Sequence, residues 1–407
     1  MTRTRAMAGH VAWAIAGIVL GAVLVLGVDG MTRTTTRGSG GDDSRTKGAT
    51  SLPTESVEAP PVTSRPKGIV LAWAPGGIPE SAERAVERLP GVRRATTVAA
   101  GLDWIKSARR PDGTELPGPR KGMSIPFEVA AVKPREYARF APPSEREAIL
   151  ALKPGRMLLA ESSVQLRGGG AGMSLRLQGR SVRVAGVVSD VATNGYEAIL
   201  AVPIPKSWER VDRFLLVHNR TGRRAAIERE IRKHLDPGRR LRIRVSDEQP
   251  FLRYGDAVHP QLVLKKEFGE FAALPLPDGR IEIDPEWQQT HIRRARVPVL
   301  GEVTCHRALI PQLRSALRAV QSAGLAHLID PAGYGGCFGP RFINSDPGGR
   351  LSHHAWGIAF DINVPENPYG AEPNLPPRVV DIIERWGFTW GGRWLIPDGM
   401  HFEWQSW

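Results

Sequence analysis

Ser352-His353-His354-Ala355-Trp356-Gly357-Ile358-Ala359-Phe360-Asp361 and, further on, Asp398-Gly399-Met400-His401-Phe402-Glu403 decide how the C-terminal part of this chain folds. Two histidines and an aspartate at these spacings suit a catalytic zinc site. Zinc accepts imidazole nitrogen and carboxylate oxygen, and a catalytic site keeps its fourth position for water. From Ile358 to Val364 apolar and polar residues alternate, which predicts a strand with Ile358, Phe360 and Ile362 on one face and Ala359, Asp361 and Asn363 on the other. His354 and Asp361 stand an odd number of positions apart, so one unbroken strand would point them to opposite faces. The chain must bend between them, and Gly357 permits it. In the second stretch His401 and Glu403 share a strand face, while Phe402 and Trp404 point into packing. Asp398, in a Pro-Asp-Gly turn, is placed to reach a water in the open position.

Ser-x-His-x-x-Gly-x-Ala-x-Asp followed by Asp-x-x-His-Phe-Glu resembles the zinc D-alanyl-D-alanine carboxypeptidase family, which also includes dipeptidases and L-alanyl-D-glutamate endopeptidases. The resemblance spans roughly residues 290 to 407. It implies an α+β peptidase with a small antiparallel sheet, with His354, Asp361 and His401 as zinc ligands and Asp398 as general base. It also implies an arginine that steadies a substrate carboxylate or oxyanion, for which Arg341 is the candidate. Where the commoner spelling is Gly-Tyr-Arg, this chain reads Gly333-Tyr334-Gly335-Gly336-Cys337, and Tyr334 joins Arg341 and Ser352 as a substrate-binding candidate. Ser352 is either a turn former or a neighbour of the substrate. His353 is one position off the motif and is expected to be a neighbour, not a ligand. Glu403 is expected to orient a ligand or the substrate, because His401 needs its second ring nitrogen held, and it is the first alternative to Asp398 as base. No histidine base and orienting acid accompany Ser352, so it is not a nucleophile.

The chain has 407 residues and a formal charge of +13. From Glu267 onward twelve arginines, no lysine and sixteen acidic residues leave −4, so the preceding part carries +17. No nucleic-acid motif accompanies that charge, and an anionic wall or membrane surface is the better partner. Arg3 and Arg5 precede an uncharged run from Val11 to Val28, near the minimum for a membrane span, with no small-x-small cleavage site after it. Residues 1–30 are therefore expected to be an uncleaved signal anchor. The wall substrate implied by the resemblance orients it, placing a single-pass protein in the bacterial membrane with everything after about residue 30 extracytoplasmic. Residues 31–65 hold almost no large apolar side chain and are expected to be a disordered linker.

Residues 66–250 read as an α+β domain, and 251–407 as the peptidase domain. Strands are predicted at Gly68–Trp73, Val92–Ala99, Met157–Ala160, Leu175–Leu177, Val182–Val188, Ala198–Val202 and Arg213–His218, with a hairpin turn at Gln178-Gly179-Arg180. Helices are predicted at Glu80–Leu89, after a Ser144/Glu147 capping box, and along Ile227, Ile231 and Leu235. Met157-Leu158-Leu159-Ala160-Glu161-Ser162-Ser163 with Val182 to Asp190 resembles the extracytoplasmic domain of ABC-transporter permeases over perhaps half of this region. That likeness implies an interaction or spacing role, with another envelope protein as partner. Further on, Arg280–Ile283 and Pro298–Leu300 read as extended, Pro311 opens a helix ended by Gly324, and Arg378–Trp386 is a helix. Most of the five terminal tryptophans are expected in the core, with one or two walling the cleft. Cys305 and Cys337, the only cysteines, are expected to form a disulfide outside the membrane; zinc ligation by the pair would leave the tetrahedral set incomplete. Zn2+ and peptidoglycan stem peptides are the expected cofactor and substrate. The competing reading is a non-catalytic wall-binding or regulatory protein that kept the fold.

Overall fold

The computed structural model describes residues 66–220, 223–246, 248 and 250–407. The expected anchor and linker lie outside them. Among the described residues no helix is long and apolar enough to cross a membrane.

Ten of the strands form one mixed sheet: β1 (Ile69–Trp73), β2 (Val92–Ile105), β3 (Ser107–Arg109), β4 (Ile125–Val132), β5 (Arg156–Ala160), β6 (Ser174–Leu177), β7 (Arg180–Val188), β8 (Ala198–Ala201), β9 (Asp212–Asn219) and β10 (Arg242–Val245). Their order across the sheet is β10-β1-β9-β2-β4-β8-β5-β7-β6-β3. β4 with β8 and β5 with β7 run parallel, and the other pairs are antiparallel. The hairpin at Gln178-Gly179 forms as predicted: Leu177 pairs with Arg180, and Gly179 takes a φ of +75°. Helices Glu80–Glu87 and Arg224–Arg232 bury Ala82, Val86, Ile227 and Ile231 against one face, which is why their apolar residues recur at helical spacing.

The capping box does not form. Pro143 opens a 3₁₀ turn, Pro143–Glu145, that feeds the helix Arg146–Leu150, so Ser144 lies inside the turn and not at the cap. The Glu145 carboxylate is used elsewhere, accepting from the Ser189 amide and hydroxyl at 2.5 and 2.7 Å.

After the sheet come helix Gln261–Phe268, the pair β11 (Ala273–Pro275) and β12 (Ile281–Ile283), and the hairpin β13 (Ile292–Val297) with β14 (Gly301–His306). Pro298–Leu300, expected to be extended, is the turn of that hairpin, with Val299 at a φ of +65°. The helix expected from Pro311 begins two residues earlier, Leu309–Ser322, and buries Leu313, Leu317 and Val320. β15 (Ala359–Asp361), β16 (Phe388–Trp390) and β17 (His401–Trp404) form the small antiparallel sheet, β17 in the middle, with helix Pro377–Arg385 before β16. Of the terminal tryptophans Trp404 is core and Trp390 packs against it, whereas Trp386 and Trp407 are 42% and 46% exposed.

The sheet and the C-terminal elements share a core. Leu102 and Trp104 of β2 belong to the same apolar cluster as Trp356, Phe360 and Phe402. Buried charges add to the join: Lys265 meets Glu197 at 2.7 Å and Arg253 holds Glu128 at 2.8 Å. Removing one partner of such a pair would strand the other charge.

Cys305 on β14 is bonded to Cys337, their Cα atoms 5.3 Å apart. Alkylation of the unreduced protein, native or unfolded, should label neither cysteine. Closing a loop with a sequence separation of 32 should contribute roughly 3 to 4 kcal/mol, read as a lower melting temperature after reduction. Two free thiols in protein exported from the cytoplasm would contradict the pairing.

Candidate metal centre

Asp361 is fixed from its backbone outward. Its carbonyl accepts from the Gly335 amide at 2.9 Å and its amide donates to the Gly336 carbonyl at 3.1 Å. A Cβ on Gly335 would lie 2.9 Å from the Asp361 Cβ, so the Gly-Gly that replaces the commoner spelling allows this close approach. Seven residues earlier, His354 sits in a 3₁₀ turn, His353–Trp356, that ends at Gly357 in the left-handed region with φ 67° and ψ 35°. That is the predicted bend. A side chain there would also strike the His306 amide, 2.8 Å from where its Cβ would sit. The strand is shorter than expected, but Ile358, Phe360 and Ile362 all enter the core.

Antiparallel pairing sets Asp361 directly opposite His401. His401 Nδ1 lies 2.9 Å from Asp361 Oδ1 and 3.2 Å from His354 Nε2, which is itself 3.2 Å from Asp361 Oδ2. Tetrahedral zinc with bonds near 2.0 to 2.1 Å requires ligand atoms about 3.3 Å apart. The two imidazole nitrogens stand at about that spacing, and each has one oxygen of the Asp361 carboxylate beside it, Oδ1 at His401 and Oδ2 at His354, so the three side chains converge closely enough to share one ion. Among the described residues this is the group of His, Cys, Asp and Glu side chains that could hold a metal.

Each imidazole has its other nitrogen directed. His354 Nδ1 faces the Cys337 carbonyl at 2.9 Å, and a carbonyl can only accept, so Nδ1 carries the hydrogen and Nε2 turns its lone pair to the centre. His401 Nε2 lies 3.6 Å from Glu403 Oε2. Glu403 accepts from the Val258 amide at 2.8 Å, and His353 Nδ1 lies 2.7 Å from its Oε2 as a charge contact without hydrogen-bond geometry. His353 thus lies beside Glu403 and outside the cluster of His354, Asp361 and His401. Burial lowers the pKa of His354 despite the nearby Asp361, favouring the neutral ligand form. Burial also opposes the charge on His401, but the hydrogen bond to Asp361 and the nearby Glu403 carboxylate outweigh it and raise that imidazole to about 10. Burial pushes Asp361 and Glu403 upward too, yet the histidine charges beside them win and hold both carboxyls well below the usual range. A metal taking the His401 lone pair would release a proton.

The centre opens into a cavity of about 370 Å3 that Asp398, Arg341, Ser352, Trp394 and Glu403 also line. Asp398 belongs to the turn before β17, its carbonyl accepting from the His401 amide at 3.1 Å. Its Oδ1 is buried with no hydrogen-bond partner. Burial raises its carboxyl to about 6, with the positive charge of His401 as the main opposition. Arg341 Nη2 stands 3.9 Å from Asp361 Oδ2 and is partly exposed. Ser352 Oγ accepts from the His354 amide at 3.3 Å, so the serine forms the turn as well as lining the cavity. Tyr334 is not among the lining residues: it packs against the core, and its buried hydroxyl has no partner. Burial first, and then the Asp361 charge, raise the pKa of its phenol.

No match to the chain was found among curated proteins. The solved periplasmic region of MacB from Actinobacillus actinomycetemcomitans is similar to the middle of the chain at 10% identity and a TM-score of 0.29, over 46% of this chain and 92% of that one. Residues 346–404 match the family described as D-alanyl-D-alanine carboxypeptidase, and it is this family that the segment bearing His354, Asp361, Asp398, His401 and Glu403 resembles.

Proposed function

We propose that this protein is a zinc peptidase that hydrolyses the stem peptides of peptidoglycan, releasing the terminal D-alanine as a carboxypeptidase. We also propose that it is anchored at the outer side of the bacterial membrane by the uncharged run Val11–Val28. The observation that carries the enzymatic reading is the convergence of His354, Asp361 and His401 donors beside a buried, unpartnered Asp398 oxygen in one cavity. Zinc in that set would polarise the scissile carbonyl and bring the pKa of a water towards about 7.

The chain's own groups then have distinct duties. Asp398 takes a proton from the attacking water and returns it to the leaving amine. Its raised pKa suits a base that works near neutrality. Arg341 holds the substrate carboxylate or the oxyanion that develops on the carbonyl. Glu403, held by the Val258 amide, keeps His401 in the ligating orientation.

Purified full-length protein should contain close to one zinc per chain by atomic spectroscopy and should shorten muropeptide stems by one D-alanine, read by mass. A chelator should abolish the cleavage and added zinc restore it. Metal-free protein that binds muropeptides without cutting them would favour the non-catalytic alternative. An internal cut would move the assignment to an endopeptidase.

A further inference from the structure

Asp398 Oδ1 makes no hydrogen bond, so its side chain has no direct brace there. Its backbone is tied to Gly391 and His401, its amide donating to the Gly391 carbonyl at 3.0 Å, and the turn that carries it is also gripped from outside the C-terminal region. The Leu395 amide donates to Asp256 Oδ2 at 2.7 Å. The other Asp256 oxygen meets Arg244 at 2.5 Å and Arg242 at 3.4 Å, both on edge strand β10 of the large sheet. Arg242 also donates to the Arg393 carbonyl at 3.0 Å, and Arg240 to the Leu395 carbonyl at 2.8 Å. The Leu395 side chain packs against the sheet's own core, the cluster that contains Trp73 and Tyr254. Two carbonyls, one amide and one side chain of residues 393–395 are therefore held by the middle region, three residues before the proposed base.

The other flank is joined in the same way. In the loop that leads to His354, Asp346 pairs with Arg210 at 2.5 Å and Arg350 with Asp212 at 3.1 Å. Gly348 lies so close to Glu209 that a Cβ would come within 2.6 Å of its Cβ. Trp73, Gly76, Arg210 and Asp212 line the same cavity as the metal donors.

Resting on the peptidase reading above, we propose that the middle region is a working part of the catalytic site, in which Asp256, assisted by Arg240 and Arg242, is a positioning residue that fixes the Asp398 turn against the metal ligands. A general base displaced by about 1 Å loses up to a hundredfold in rate, because the productive geometry is no longer the bound one. Metal retention is a different matter, since β15 and β17 hold Asp361 and His401 through their own pairing.

The test uses full-length Asp256→Ala, Asp256→Asn and Arg240→Ala, with amide hydrogen exchange, zinc content, kcat and KM measured for each. Asp256→Ala should speed exchange across residues 393–398 by about tenfold or more and lower kcat by a similar factor, with zinc and KM nearly unchanged. Asp256→Asn keeps an acceptor for the Leu395 amide and should recover part of both effects. Arg240→Ala, on an exposed side chain, should show a smaller change of the same kind without loss of folding. Unchanged exchange in the turn, normal kcat despite a loosened turn, or exchange raised equally through the large sheet would overturn the proposal. Exchange is read whether or not the protein cleaves peptide, so wild-type protein lacking zinc or cleavage would refute the peptidase reading while exchange separately tests the grip on the turn.

Discussion

His401→Ala should lose zinc and peptide cleavage together. The substitution leaves two donors, His354 Nε2 and the Asp361 carboxylate, 3.2 Å apart, and a two-donor site holds zinc poorly. The fold should survive, because Phe402 and Trp404 carry the packing of β17, and the backbone pairing of residue 401 with Asp361 does not require an imidazole. Circular dichroism near that of the wild type, zinc below about a tenth of an equivalent and no detectable D-alanine release are the expected results. A variant that kept full zinc would place the metal elsewhere.

The convergence of His354, Asp361 and His401 is legible in the sequence because these residues lie in two short segments with strong local rules. Gly357 had to bend the chain between His354 and Asp361, and alternation had to set His401 and Glu403 against Phe402 and Trp404; each follows from side-chain direction within a few residues. Contacts made across the fold were not legible in this way. That the Cys337 carbonyl directs His354, or that the Val258 amide holds Glu403, depends on loops brought together by packing. The resemblance implies Tyr334 beside the substrate, but the pairing of Gly335 and Gly336 with Asp361 carries the chain past the cavity and leaves the tyrosine against the core.

The middle region shows the same division. Strands with an apolar run and a clear turn are readable in the sequence, whereas β4, β10 and helix Gln261–Phe268 carry weaker signals. β4 lies inside the sheet and is buried on both faces, so Pro126 to Val132 shows no alternation, and Glu128 within it argues against a core strand until Arg253 is seen to neutralise it. Lys265 breaks the apolar face of its helix in the same way and is fully buried against Glu197. β10 does alternate, Arg242-Ile243-Arg244-Val245, which was the available signal. Its arginines suggest a solvated edge, yet they meet Asp256 and the backbone of the Asp398 turn.

Asp398→Asn separates proton transfer from metal binding. The amide keeps the shape of the carboxylate but cannot accept the water's proton, and Asp398 is not one of the three clustered donors, so zinc should stay near one equivalent while kcat falls by about a hundredfold or more. The pH profile supplies the second half of the test. Burial raises Asp398 to about 6, and a base must be ionised to work, so wild-type kcat/KM should fall as pH drops through that value. Zinc nearby favours the carboxylate and moves the limb at or below 6, never above it. Asparagine has no such ionisation, so the variant's residual activity should lose this limb. Glu403→Gln should behave differently, with weaker zinc binding and a milder loss of rate, because its carboxylate faces His401 and His353. Near-normal turnover in Asp398→Asn, with the acid limb retained, would transfer the role of base to Glu403.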